Sequence, residues 1–193
     1  MNSSPGTIII LDLEVTAWEG SAQRDWSAPG EVREIVQVGM IKLADNEELT
    51  EMESFEVLVR PRDNPILSEY FINLTGIVQA DVDKHGVTFP HALADTLTFI
   101  GEVARIIHTF GRDEKWIDEN CQMHGMASPT GSLPFHDVRR DFMDRLNMHT
   151  ASLESGRLPE IMGFARPGSA HDAVTDCRCI AEGLRMFDRQ DGA

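Results

Sequence analysis

The sequence predicts an α/β fold, with a mixed five-stranded central sheet flanked by helices. Three observations predict it. The first is an unbroken apolar run near the N-terminus, Ile8-Ile9-Ile10-Leu11, of the kind that forms a strand buried on both faces. The second is a pair of further strand-like runs joined by short polar links, which favours an antiparallel meander. The third is the order that follows: helix, strand, helix, short strand, helices. A meander followed by strands with crossover helices gives a sheet that is part antiparallel and part parallel.

The elements follow in order. The first strand covers Ile8 to Glu14 and, being the most apolar, is expected at the centre of the sheet. A polar stretch through Thr16, Trp18 and Gly20 to Arg33, with Pro29 and Gly30, reads as an exposed loop. The second strand is expected at about Glu34–Leu43, and Asp45-Asn46-Glu47-Glu48 forms a turn. The third strand, about Glu53–Arg60, alternates Phe55, Val57 and Val59 with other residues. Leu67–Leu74 suits one or two helical turns closed by Thr75-Gly76. From Thr88, a candidate cap, to Glu102 the spacing is helical, with Leu93, Leu97, Ile100 and Val103 on one face. Val103–Phe110 reads as a buried strand, and a helix follows Gly111-Arg112-Asp113 as far as His124. After a loop at Gly125–Pro134 come an extended piece at Leu133–His136 and helices at Asp137–Met148 and Leu158–Phe164. The last helix, Ala173–Phe187, turns Val174, Cys177, Ala181, Leu184 and Phe187 inward.

At 193 residues the chain suits one domain with a sizeable core, expected between about Thr7 and Phe187. No apolar run is long enough to span a bilayer, and Met1-Asn2-Ser3-Ser4-Pro5-Gly6 lacks the basic flank of a secretory signal. Cys121, Cys177 and Cys179 are odd in number and lack Cys-x-x-Cys spacing, which reads as reduced thiols in a cytoplasmic protein. A net charge of −15 argues against broad, nonspecific duplex binding, which needs a basic surface. It does not exclude a nucleic-acid enzyme, because a groove can be positive around bound metals while the remaining surface is acidic.

The chemistry begins at the end of the first strand. Asp12 and Glu14 are two residues apart, so both carboxylates point to one side of the sheet. Two anions at the end of a buried strand repel each other and lose hydration, and a bound divalent metal would compensate them. Asp113 stands just past a later strand, where an isolated Asp would ordinarily cap its helix. His171 and Asp176 bracket the start of the last helix, where Asp172 is the more natural cap. Each residue alone has an ordinary structural explanation. Their joint occurrence does not.

Asp12-x-Glu14, Asp113 and His171-x-x-x-x-Asp176 resemble the DEDDh class of 3′→5′ exonucleases in residue type, order and approximate spacing. Glu34-Ile35-Val36-Gln37-Val38-Gly39, Phe55–Pro61, Leu74-Thr75-Gly76-Ile77, Asp81-Val82-Asp83 and Trp18-Glu19 resemble its KapD-like, histone-mRNA exonuclease-like branch. The likeness runs from about Thr7 to Phe187 and implies a ribonuclease H-like fold. Ala17 stands where that branch often has cysteine, and Arg112 where it often has an aromatic residue that could stack on a base. An arginine plane can also stack or hold a phosphate.

The resemblance implies a metal-dependent exonuclease that removes nucleoside 5′-monophosphates from single-stranded 3′ ends, with RNA favoured over DNA. A DNA-trimming exonuclease and a noncatalytic nucleic-acid-binding regulator on the same fold are the rival readings. Two divalent cations, Mg²⁺ or Mn²⁺, would be held by Asp12, Glu14, Asp113 and Asp176, with Asp12 bridging them. His171 would take the proton from the attacking water. Trp18, Leu74 and Thr75 are candidates to hold the terminal nucleotide, and Arg112 to contact a base or phosphate. Arg60, Arg62 and Arg166 could touch phosphates, although exposed arginines are usually just solvated. The partners expected are single-stranded RNA or DNA 3′ ends, without a membrane. A homodimer is compatible with the sequence, and specificity would come from this domain or from a protein partner.

Overall fold

The apolar N-terminal run becomes the centre of the sheet. In the computed structural model, which describes residues 7–101, 106–148, 153–169 and 171–191, it forms β1 (Thr7–Val15). β1 pairs antiparallel with β2 (Ile35–Ala44) and parallel with β4 (Ile106–Thr109). β3 (Glu51–Leu58) pairs antiparallel with β2, and β5 (Phe135–Asp137) parallel with β4. The resulting order is β3-β2-β1-β4-β5, the mixed five-stranded sheet expected.

Alternation along β1 divides the core into two layers. Ile9, Leu11 and Leu13 join one cluster with Phe89, Leu93 and Ile100 of α3 (Phe89–Ile100) and Ile117 of α4 (Asp113–Met123). Ile10 faces the other way, toward Phe142 of α5 (Arg139–Arg145), Leu158 of α6 (Leu158–Met162) and Cys177, Ile180 and Phe187 of α7 (Ala173–Asp191). Each fully buried side chain of this kind stabilises the fold by about 1.5–3 kcal/mol. The inward face expected for the last helix is thus found, with Leu184 partly buried.

Two shorter helices close the remaining edge. In α1 (Glu69–Thr75), Ser68 Oγ accepts the Phe71 N–H, and Gly76 ends the helix at φ 77 in the left-handed region. α2 (Gln79–His85) is a helix that the sequence pattern does not announce, since Val82 is its one buried side chain. Thr88 does precede α3, but its side chain makes no capping hydrogen bond. Of the strand expected at Val103–Phe110, the described part is β4, which ends at Thr109, buries Ile107 and Thr109 and exposes Ile106. Glu102 and Val103 lie outside the described residues.

The stretch after β1 is not simply an exposed loop. Thr16, Ala17 and Ser21 are buried, Trp26 packs against the core, and its indole N–H donates to Thr16 O at 2.6 Å. The three cysteines are buried and unpaired. Among the described residues, no helix is long and apolar enough to cross a membrane.

Candidate active site

Ile10, Asp12 and Glu14 share one face of β1, by its period of two. Toward the start of α7, this face passes from the apolar Ile10 to the carboxylates of Asp12 and Glu14. The distance between sheet and helix is set opposite Asp12 by its β2 partner, Gly39. A Cβ on Gly39 would stand 2.5 Å from the Ala173 carbonyl carbon and 2.6 Å from the Val174 nitrogen, so only glycine lets the start of α7 lie this close. Gln37 fixes the same end of the helix. Its Oε1 accepts the Ala173 N–H at 3.0 Å, while its amide donates to Glu56 at 2.9 Å and Asp172 at 3.3 Å. Asp172 caps α7, accepting the Thr175 N–H at 2.9 Å. Asp176, in the first turn, is thereby brought over the end of β1.

Donor atoms of Glu14, His171 and Asp176 all lie within 4.8 Å of one another. Asp12 and Asp113 are buried beside this group, Asp113 as the first residue of α4 after the parallel neighbour β4. Of the five residues singled out, the structure therefore sets Glu14, His171 and Asp176 together, with Asp12 and Asp113 near enough for the carboxylates to act on one another by charge. Their electrostatics is that of crowded anions. Removal from water pushes the Asp12 carboxyl well above the usual range, and the charges of Asp113, Asp176, Glu14 and Asp172 push it further. Glu14 is raised by burial and then by Asp176, Asp113 and Asp172. Burial, then Glu114, lifts Asp113 to about 8. Asp176 is lifted to about 6 by burial, against the opposing charge of Arg166.

His171 sits at φ 52, in the left-handed region, and is half-buried. Burial lowers its pKa, with Glu154 opposing and Arg166 adding to the fall. An imidazole so placed is neutral at physiological pH and can accept a proton.

The expected nucleotide contacts are less clearly assembled. Ser68 Oγ donates to Ala17 O, which holds the start of α1 against the residue before Trp18. Trp18 is half-buried, and its backbone N–H donates to Ser21 Oγ at 3.1 Å. Leu74 is half-buried, but Thr75 is buried and engaged in closing α1, its hydroxyl donating to Phe71 O and accepting from Ile77 N, both at 3.0 Å. Arg112 is exposed at the mouth of α4. Arg60 and Arg62 are occupied structurally, Arg60 at Val82 O and Arg62 at Asp63 and Met123 O.

A family model described as Exonuclease (RNase_T) matches residues 9–184. The chain belongs to the exonuclease family. Human 3′-5′ exoribonuclease 1 is 27% identical over 195 residues, covering 96% of this chain and 53% of its own length. Human ERI1 exoribonuclease 2 is 30% identical, with 90% of this chain and 27% of its own length covered. The chain thus spans about half the length, or less, of these curated relatives. Among solved structures, the nuclease domain of 3′hExo, described as a DEDDh family member bound to rAMP, superposes with a TM-score of 0.81 at 25% identity. That match covers 100% of this chain and 96% of the other. It supports the ribonuclease H-like exonuclease fold that the motifs implied.

Within this exonuclease fold, the residues that build the site without being in it escaped sequence reading. Gln37 and Gly39 belong to the Glu34–Gly39 stretch that carried the family resemblance, but their part in building the site was not read from it; a glycine inside a strand was the signal available for a close backbone approach. Asp172 was recognised as a cap, but it also adds its charge to Asp12 and Glu14.

Proposed function

We propose that the whole chain is one catalytic domain of a metal-dependent 3′→5′ exonuclease. It hydrolyses phosphodiester bonds at single-stranded 3′ ends and releases nucleoside 5′-monophosphates. RNA is favoured over DNA in this reading because the curated relatives are named as exoribonucleases. The reduced, buried cysteines suit a cytoplasmic setting. The observation that carries the proposal is the convergence of Glu14, His171 and Asp176 beside the buried Asp12 and Asp113.

The residues fit divalent metal. Oδ1 of Asp176 is buried without a hydrogen-bond partner, and at Asp12 and Glu14 the neighbouring charges that add to burial are all negative. Carboxylate oxygens favour hard cations, which selects Mg²⁺ or Mn²⁺. Asp12, Glu14, Asp113 and Asp176 would hold two such ions. Bound there, the ions would polarise the phosphate and ease the formation of a nucleophile from water. His171 would accept the proton of that water at a ring nitrogen, since burial keeps the imidazole neutral. Trp18, Leu74 and the backbone around Thr75 are assigned to the terminal nucleotide, and Arg112 to a base or phosphate.

The test uses end-labelled single-stranded RNA and DNA oligomers, with free or blocked 3′ ends, in Mg²⁺, Mn²⁺ or EDTA. Wild type should shorten free ends stepwise, RNA faster than DNA, and both EDTA and Asp12→Asn should stop it. Cleavage that persists in EDTA or in Asp12→Asn would refute the metal site. Faster shortening of DNA would transfer the substrate to the DNA-trimming reading.

A further inference from the structure

Four carboxylates of the site draw on very little positive charge from the protein. Among the described residues, Arg166 is the one cation whose charge offsets burial at Asp176. Its guanidinium is not free to wander. Nη2 donates to the carbonyl of Gly156, so the group is anchored to backbone on the segment that faces α7. Nη1 then points at Asp176 and stops 3.9 Å from Oδ1. Both of these atoms are buried, and neither has a hydrogen-bond partner. The pair is held by charge and proximity, without the directed bond that such groups ordinarily form at closer range.

The surroundings explain the spacing. Ser155 Oγ approaches the other Asp176 oxygen at 3.4 Å. A Cβ on Gly156 would stand 3.4 and 3.5 Å from the two Asp176 oxygens and 3.8 Å from Arg166 Nη1, so this segment is already packed against the carboxylate. Glu154 and Asp172 contribute only negative charge to Asp176.

We propose that Arg166 is a positioning residue, an internal counter-ion that supplies Asp176 with positive charge in the metal-free protein and competes with the divalent cation for it. The inference rests on the metal-site reading above. A guanidinium keeps its charge at every accessible pH, so this competition does not depend on titration. A cation on Asp176 would meet repulsion from Nη1 and take over its charge-compensating role, while the bond from Nη2 to Gly156 stays intact.

Calorimetric titration with Mn²⁺ separates this role from simple support of the loop. Wild type, Arg166→Gln, Arg166→Met, Arg166→Lys and Asp176→Asn would be titrated, and each would be melted in EDTA. Both neutral variants should bind Mn²⁺ more tightly, on the order of tenfold, and melt at lower temperature in EDTA. Arg166→Lys should keep affinity near that of wild type. Equal or weaker Mn²⁺ binding by the neutral variants, beside normal binding by wild type, would overturn the counter-ion role and leave a structural one. Absence of Mn²⁺ binding by wild type itself would overturn the metal site, and this inference with it.

Discussion

At the residue scale, His171 and Asp113 make opposite demands on a proton. Burial lowers the pKa of His171, so at neutral pH it stands ready to accept one. His171→Ala should therefore reduce turnover about 10²–10⁴-fold while Mn²⁺ affinity and melting temperature change little. Single-turnover cleavage at saturating metal checks this, and wild-type turnover by the variant would remove the base role. Asp113 is raised from 3.8 to about 8 and Asp176 from 3.8 to about 6. Between each pair of values the folded chain keeps a proton that the unfolded chain releases. Their contribution to metal-free stability is therefore complete below the ordinary carboxylate value and is lost as pH rises through about 6 and then about 8. In EDTA, wild type should melt at higher temperature at about pH 5 than at about pH 8.5, and Asp113→Asn should flatten that slope. A slope of opposite sign, or one untouched by Asp113→Asn, contradicts the assignment. The five candidate catalytic residues could be singled out because type, order and spacing survive in a linear chain. The parts played by Gln37 and Arg166, one named only within a motif and the other only as a phosphate contact, could not be read, because they are defined across space: Gln37 meets Ala173 across 136 positions.

At the scale of elements, the site is a junction between the end of β1 and the beginnings of α4 and α7. Glycine at position 39 sets one side of that junction. Gly39→Ala would drive a Cβ into the backbone of Ala173 and Val174 at 2.5–2.6 Å, where no flexible side-chain end can yield. The first turn of α7 must then lift, carrying Asp172 and Asp176 away from Asp12. The expected loss is about 1–3 kcal/mol by urea unfolding, with weaker Mn²⁺ binding and lower activity in the same variant. Full stability with intact metal binding would show that α7 is not held in this way. The meander, the central place of β1 and the inward face of α7 were legible because each rests on a long run with a clear period. α2 was not, because seven residues with Val82 alone buried give no period to detect. The role of the 16–33 stretch was hidden for another reason. Its polar composition reads as loop, yet Arg33 lies against Trp26 and Trp116 while pairing with Glu119, and those contacts join distant segments.

At the scale of the whole molecule, the chain carries 32 acidic residues against 17 lysines and arginines. The charge was legible at once, but its arrangement was not. Much of the positive charge is already paired within the fold: Arg24 with Glu31, Arg33 with Glu119, Arg62 with Asp63, Arg145 with Asp191, Arg178 with Glu51 and Arg189 with Glu182. Among the described residues, few cations therefore remain outside such pairs to displace counter-ions from a polynucleotide. Each phosphate neutralised on a single strand contributes about −0.7 to the slope of log affinity against log salt. If no more than about two phosphates are neutralised by side chains, the slope should be shallower than about −1.5. A basic nucleic-acid-binding surface would give a much steeper one. The measurement is kcat/KM on a single-stranded RNA oligomer at saturating Mn²⁺, with potassium chloride varied. Saturating metal matters, because salt also screens the attraction between the carboxylates and their cation. A shallow slope means that the substrate is captured at the metal site and by contacts to its terminal nucleotide. A slope steeper than about −3 would require a basic track along the RNA, which these arginine pairs would have to open to provide.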